Sequence, residues 1–263
     1  MIVPRVSLGA ADARMVGAER DLMGEQLTRL AALNVFFAHQ SVGMNLLDGV
    51  REIAADYPGI PLRILESTAD LSTGAVRHAF VPENGDPEKK IEGFRHLLDS
   101  GIGANSDVAF LKLCYSDFSA TTDPISLFAT YQRTMAAIRR DYPKLLLVHV
   151  TVPLTSVSGR ANAGAAVMRL LGRTLPGIAE NAVREEFSEL LRYANAGAST
   201  VFDLARLEST TPTGERDLRP WRGRLVPCLH PGYTDDGGHL NATGRRRLGR
   251  ALIAFLTARA RSS

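Results

Sequence analysis

The sequence predicts an α/β chain built as one doubly wound parallel sheet of five strands, with helices on both faces in three layers, α/β/α. Three observations carry this. Short β-rich apolar runs alternate with segments of helical period five times along the chain, the pattern of repeated right-handed crossovers. The fourth run, 145–150, is nearly continuous in branched and apolar residues, as expected of a strand covered on both faces. With 263 residues, 45% of them hydrophobic, the chain can bury a substantial core. No internal repeat or linker divides it, so 1–263 reads as a single domain with an N-terminal segment and helix before the first strand.

Leu22, Met23, Leu27 and Leu30 recur at helical spacing, which predicts a helix over 19–33. The β-rich run 34–38 follows as the first strand. His39-Gln40-Ser41-Val42-Gly43 breaks it, and a second helix runs over 44–56 to Pro58-Gly59. The second strand is read over 62–66, and 67–85 as a long irregular loop, a feature often tied to function. Asp86-Pro87 is a helix start with a capping residue and a proline at the first helical position, continued by Ile91, Phe94, Leu97 and Leu98. The third strand, 107–113, ends in the polar cluster Cys114-Tyr115-Ser116-Asp117. Asp123-Pro124 repeats the helix-start signal, with Phe128, Tyr131, Met135 and Ile138 as its buried stripe. After the fourth strand a Ser-, Gly- and Ala-rich stretch leads to a helix with Val183, Phe187, Leu190 and Leu191 facing inward. The fifth strand spans 200–204, and 208–233 reads as a loop carrying the only tryptophan, Trp221. Asn241 then offers an N-cap to a last helix with Leu248, Leu252, Phe255 and Leu256.

Composition narrows the function classes. A net charge of +3 is small for this length, and Arg245-Arg246-Arg247 reads as the solvated face of the last helix, so no nucleic-acid partner is expected. Cys114 and Cys228 make neither a disulfide framework nor a metal site, so no metal and no cofactor are expected. The first residues lack the continuous apolar run of a signal peptide, and no stretch reaches the ~18 apolar residues of a membrane span. A cytoplasmic protein without a membrane partner is the expectation; oligomeric state is not legible.

In a doubly wound sheet the C-terminal ends of the strands open on one edge. Ser41, the 67–85 loop, Ser116 and the segment Asp235-Asp236-Gly237-Gly238-His239 should therefore meet despite their distance in sequence. A carboxylate three residues ahead of a histidine, across two glycines, orients an imidazole as a base. Ser41 at a helix start could be a nucleophile or an ordinary N-cap.

Ala38-His39-Gln40-Ser41-Val42-Gly43, the polar cluster after the third strand, and Asp236-Gly237-Gly238-His239-Leu240-Asn241 occur in an order that resembles the SGNH/GDSL hydrolase superfamily, over about 35–256. The resemblance implies a flavodoxin-like fold and a serine esterase that forms an acyl-enzyme. Ser41 would be the nucleophile, His239 the base, and Asp236, with Asp235 as its rival, the group that orients the imidazole. It further implies an oxyanion held by the N–H of Ser41, by the loop glycine of the second block, taken as Gly74, and by the third-block side chain. That block usually reads Gly-x-Asn-Asp, and here Ser116 stands where the amide donor belongs. The first block is His39-Gln40-Ser41 in place of Gly-Asp-Ser. His39, Gln40, Asn84 and Tyr115 are candidate substrate contacts, with Gln40 and Asn84 also able to supply a missing donor.

The expected substrate is a small-molecule or carbohydrate ester, with a short acyl group such as O-acetyl. The rival reading is a binding module for a sugar or other small ligand in which the altered third block reflects lost catalysis. A nucleotide-binding switch of similar topology is disfavoured, because no Gly-rich phosphate loop follows the first strand. Selectivity should lie in the loops 67–85, 155–175 and 208–233.

Overall fold

The structure, a computed structural model, describes residues 10–69, 74–157 and 177–259 of the chain. Most of the 155–175 segment expected to shape selectivity lies outside the described residues, as do Met1–Gly9 and part of the 67–85 segment.

Six parallel strands form the central sheet: β1 Asn34–His39, β2 Ile64–Glu66, β3 Ala75–Phe80, β4 Val108–Leu111, β5 Leu146–Val150 and β6 Val201–Phe202. Their order is β2-β3-β1-β4-β5-β6, so the chain winds to one side of β1 and then returns to continue on the other. The sixth strand corrects the sequence reading. β3 lies within 67–85, expected to be an irregular loop, because Arg77 and His78 interrupt the apolar run there. Both are fully or almost fully buried, and β3 pairs along its whole length with β1.

Alternation along β1 sorts the core into two layers. Val35 and Phe37 face helices α1 Ala10–Ala32, α2 Val42–Ala54 and α7 Ala242–Arg259; Phe36 and Ala38 face α3 Pro87–Leu97, α4 Pro124–Asp141 and α5 Ile178–Ala194. A one-turn helix, α6 Leu204–Glu208, follows β6, where the sequence pattern predicts strand as far as 204. The 208–233 segment is not all loop: β7 Leu218–Trp221 and β8 Arg224–Pro227 form an antiparallel hairpin, with Arg222 and Arg224 over the Trp221 ring.

Helix starts follow the sequence closely. The Asp86 and Asp123 side chains accept backbone N–H groups of α3 and α4, each with proline in the first turn. Asn241 Oδ1 caps α7 by accepting from the Gly244 N–H at 3.0 Å. Leu22 departs from its expected role: it is 54% exposed, while Met23, Leu27 and Leu30 are buried.

Contact between α2 and α7 is unusually close. A Cβ on Gly49 would stand 2.0 Å from the Arg245 carbonyl oxygen, and one on Gly249 would stand 2.6 Å from the Gly49 carbonyl carbon. Only paired glycines let the two backbones touch there. Arg245 and Arg246, expected on a solvated face, reach across to Glu52 of α2 and to Asp56 in the turn after it, and Arg247 lies over the Tyr233 ring. Arginine suits these positions because its long apolar stem packs while its head pairs.

Candidate active site

The crevice outside the carboxyl ends of β1 and β4 is the switch point of this sheet, the place where open α/β sheets leave a cleft. Ser41 follows β1 and Tyr115 follows β4. The segment 234–239 reaches the same edge just before α7. Two tethers hold it: Leu240 N–H donates to Asn45 Oδ1 on α2 at 3.1 Å, and the Ser156 N–H, after β5, donates to the Gly237 carbonyl at 2.8 Å.

Ser41 sits at the N-cap position of α2, but its side chain makes no capping hydrogen bond. Its hydroxyl lies 2.5 Å from His239 Nε2. Its backbone, at φ 47° and ψ −105°, is in a sparsely populated region for a residue with a side chain. Such strain is held in place by surrounding structure and occurs disproportionately at functional positions. The turn lifts the hydroxyl off the strand end and toward the imidazole.

On the other side of the ring, His239 Nδ1 lies 2.6 Å from Asp236 Oδ2. Asp236 Oδ1 accepts the N–H groups of Gly238 and His239, each at 2.8 Å, and the Thr234 hydroxyl at 3.2 Å. Desolvation, the largest single influence on this carboxyl, pushes its pKa up, but the bonds from Gly238 and His239 together outweigh it and hold the group well below the usual carboxylate range. Asp236 is thus an anion with fixed orientation. It makes Nδ1 the protonated nitrogen and leaves Nε2 free to accept the Ser41 proton. Asp235 accepts from Asn241 Nδ2 at 3.3 Å and does not contact the ring.

The remaining predicted residues divide. Gly74 lies at the wrong end of the sheet: it precedes Ala75, which pairs with Asn34 at the start of β1, and its N–H donates to Asn34 Oδ1. Six strand residues, roughly 20 Å at strand rise, separate that point from the Ser41 edge, so Gly74 supplies no donor there. The loop that reaches the site follows β3 and contains Asn84 and Gly85. Ser116 is exposed on the turn after β4. Tyr115 is the third-block side chain that approaches the site: its ring meets that of His239 edge-on, with centroids 6.0 Å apart, and its hydroxyl lies against Gly238. Gln40 Nε2 donates to the Val81 carbonyl at 2.6 Å and ties the loop after β1 to the loop after β3, while Asn84 Oδ1 accepts from Lys90 Nζ of α3 at 2.7 Å. His39 is fully buried, with Nε2 3.2 Å from His78 Nδ1, and packs on Phe37 rather than facing a substrate. Desolvation first, then the neighbouring His78, lower its pKa to about 3.

Sequence reasoning missed the frame behind the site. The Lys90 ammonium and Asp117 carboxylate, both without exposed side-chain surface, pair at 2.7 Å. Asp117 also accepts the Gly85 and Cys114 N–H groups, which clamps the loop after β3 to the turn after β4. Arg184 of α5 donates to the Tyr115 carbonyl at 3.0 Å and lies over its ring. Asp117 was within reach of sequence reasoning, as the last member of the third block; Lys90, Arg184 and Asn45 carry no local signal. Among the described residues, no three His, Cys, Asp or Glu side chains converge to hold a metal ion.

No protein-family model matches the chain, and no curated protein does. Solved structures do. A candidate platelet activating factor from Streptococcus pneumonia is 15% identical, at a TM-score of 0.49 over 95% of this chain and 100% of that one. A candidate lipolytic protein of the G-D-S-L family from Desulfitobacterium hafniense is 9% identical, at 0.46 over 84% and 98%. A peptidoglycan O-acetylesterase is 13% identical, at 0.45 over 73% of this chain and 48% of its own. The likeness is one of broad fold. In its three layers and parallel strands the chain has the architecture that the SGNH/GDSL resemblance implied. What the site does is read from its own hydrogen bonds.

Proposed function

We propose that this protein is a serine esterase that forms an acyl-enzyme on Ser41. The observation that carries the reading is the continuous relay from the Ser41 hydroxyl through His239 to Asp236, at 2.5 and 2.6 Å, built on a serine that does not cap its own helix. His239 Nε2 takes the hydroxyl proton as Oγ attacks the ester carbonyl, and returns it to the leaving alcohol. Asp236 stabilises the imidazolium formed between these steps. A second attack, by water or by another hydroxyl, releases the acyl group.

The side chains of His239 and Asp236 are 45% and 57% exposed, an open setting that admits a bulky alcohol such as a carbohydrate. A short acyl group on such an alcohol, O-acetyl in particular, is the substrate class we assign. In the experiment that tests it, the wild-type chain hydrolyses p-nitrophenyl acetate with a burst, and Ser41→Ala abolishes turnover while the far-ultraviolet dichroism is unchanged. Equal turnover in the variant would refute the role of Ser41. The rival reading, a module that binds a sugar without cleaving it, requires no burst with any activated ester and ligand affinity that survives Ser41→Ala.

A further inference from the structure

Resting on the esterase reading, we propose that the Tyr115 hydroxyl is the side-chain donor that holds the oxyanion, in the role for which Ser116 was expected. The inference begins with position. Tyr115 opens the turn directly after the strand next to β1, so its side chain faces the nucleophile across the switch point, whereas Ser116, one residue on, is exposed. Its ring stands edge-on to His239, and its hydroxyl lies against Gly238, one residue from that base.

The surroundings fix that hydroxyl from three sides. Arg184 holds the Tyr115 backbone carbonyl at 3.0 Å, and its guanidinium carbon lies 5.8 Å from the ring centroid. Asp117, clamped by Lys90, accepts the Cys114 N–H at 2.6 Å and sets the turn from which the ring projects. On the third side, a Cβ on Gly238 would stand 2.9 Å from the Tyr115 hydroxyl oxygen. Only glycine leaves room for the phenol between Ser41 and the histidine-bearing segment, which gives the second glycine of Gly237-Gly238 a role the turn alone does not require.

The chemistry follows. In the resting site Ser41 Oγ gives its proton to the bond with His239 Nε2. As the Oγ–carbon bond forms, the Ser41 proton passes to His239, and the carbonyl π pair moves onto the carbonyl oxygen. The phenol O–H then donates to the oxyanion, a bond length or two from Oγ, and keeps its own proton throughout. Collapse of the intermediate restores the carbonyl and expels the alkoxide, which takes the proton from His239. Desolvation above all, and then the Asp236 carboxylate, raise the Tyr115 pKa above its ordinary 10.0, so the phenol stays neutral and remains a donor at working pH. A phenol reaches farther from the backbone than a serine hydroxyl, which explains how the third block works without its asparagine.

Tyr115→Phe tests this because it keeps the ring, the Arg184 contact and the Gly238 spacing while removing one O–H. The variant should lose about 10²- to 10³-fold in kcat on p-nitrophenyl acetate with KM almost unchanged, the loss typical of one oxyanion donor. Its affinity for a methyl trifluoromethyl ketone, which forms a hemiketal anion on Ser41, should fall by a similar factor while its thermal midpoint stays that of the wild type. A Tyr115→Phe rate within about twofold of wild type, or a loss confined to Ser116→Ala, would overturn the assignment while an inactive Ser41→Ala left the esterase reading standing. A wild-type chain inert toward every activated ester would overturn both.

Discussion

Ser41 commits its one hydroxyl to His239 and leaves its own helix uncapped, at a backbone angle that most side chains avoid. At this scale each member of the relay makes a separate prediction. Asp236→Asn removes the fixed anion and inverts the preferred tautomer of His239, so kcat should fall by ~10²–10⁴-fold with KM little changed. Steady-state kinetics on an activated ester would show it, and a variant within threefold of wild type, roughly 0.7 kcal/mol, would mean that the carboxylate is only structural. His239→Ala removes the base, so kcat/KM on the same ester should fall by a comparable factor, and a variant within threefold of wild type would exclude that role. These residues were legible in the sequence because the Asp-x-x-His spacing and the serine at a strand-to-helix break are local patterns. Tyr115 was legible only as a neighbour. Which of two adjacent side chains enters the cleft depends on the turn geometry after β4, and no one-dimensional pattern encodes that.

At the scale of elements, α2 and α7 carry the two halves of the site. Ser41 opens α2, His239 precedes α7, and the two helices meet through Gly49 and Gly249 with no side chain between them. Gly249→Ala should force the backbones apart, at a cost of about 1–3 kcal/mol for overpacking, and lower kcat although the substitution lies more than two turns from His239. Thermal unfolding and kinetics on the same preparation would test this; an alanine variant with wild-type stability would show that the contact can relax. The Lys90–Asp117 pair is the matching device on the other helix layer. Lys90→Met leaves a buried carboxylate without its cation and should destabilise the fold by about 3–5 kcal/mol, read from the urea midpoint. The helices were foreseeable from their caps and periodicity, since Asp86-Pro87, Asp123-Pro124 and Asn241 act within one turn. The contacts between them were not, because Gly49 and Gly249 look like weak helix positions until the partner helix is in place. For the same reason β3 escaped: Arg77 and His78 are charged or titratable residues inside a strand, buried only because of what packs around them.

Across the whole molecule, two layers of helices shut β1, β3, β4 and β5 away from water and bury histidines with them. His39 and His149 are held to pKa values of about 3 and about 4, desolvation being the first cause in each and the neighbours His78 and Arg139 the next. Both values are depressed from 6.5, so the stability these groups contribute is present above pH 6.5 and is lost as pH falls through that value toward 4 and 3. Urea midpoints should therefore drop steadily below about pH 6.5, and less steeply in His149→Gln, which keeps a polar partner for Tyr131; an equal slope in the variant would assign the acid sensitivity elsewhere. At this scale the sequence predicted the parallel sheet and its layers from the alternation of elements. It misplaced the second-block glycine because the true edge loop, after β3, could not be found until β3 was. The claim on which everything else depends is that the strand ends gather one activated serine. Treating the folded wild-type chain with a fluorophosphonate and mapping the adduct by peptide mass spectrometry tests it most directly. The predicted result is a single stoichiometric adduct on Ser41, absent from His239→Ala; labelling of another residue, or equal labelling of Ser41 in that variant, would contradict it.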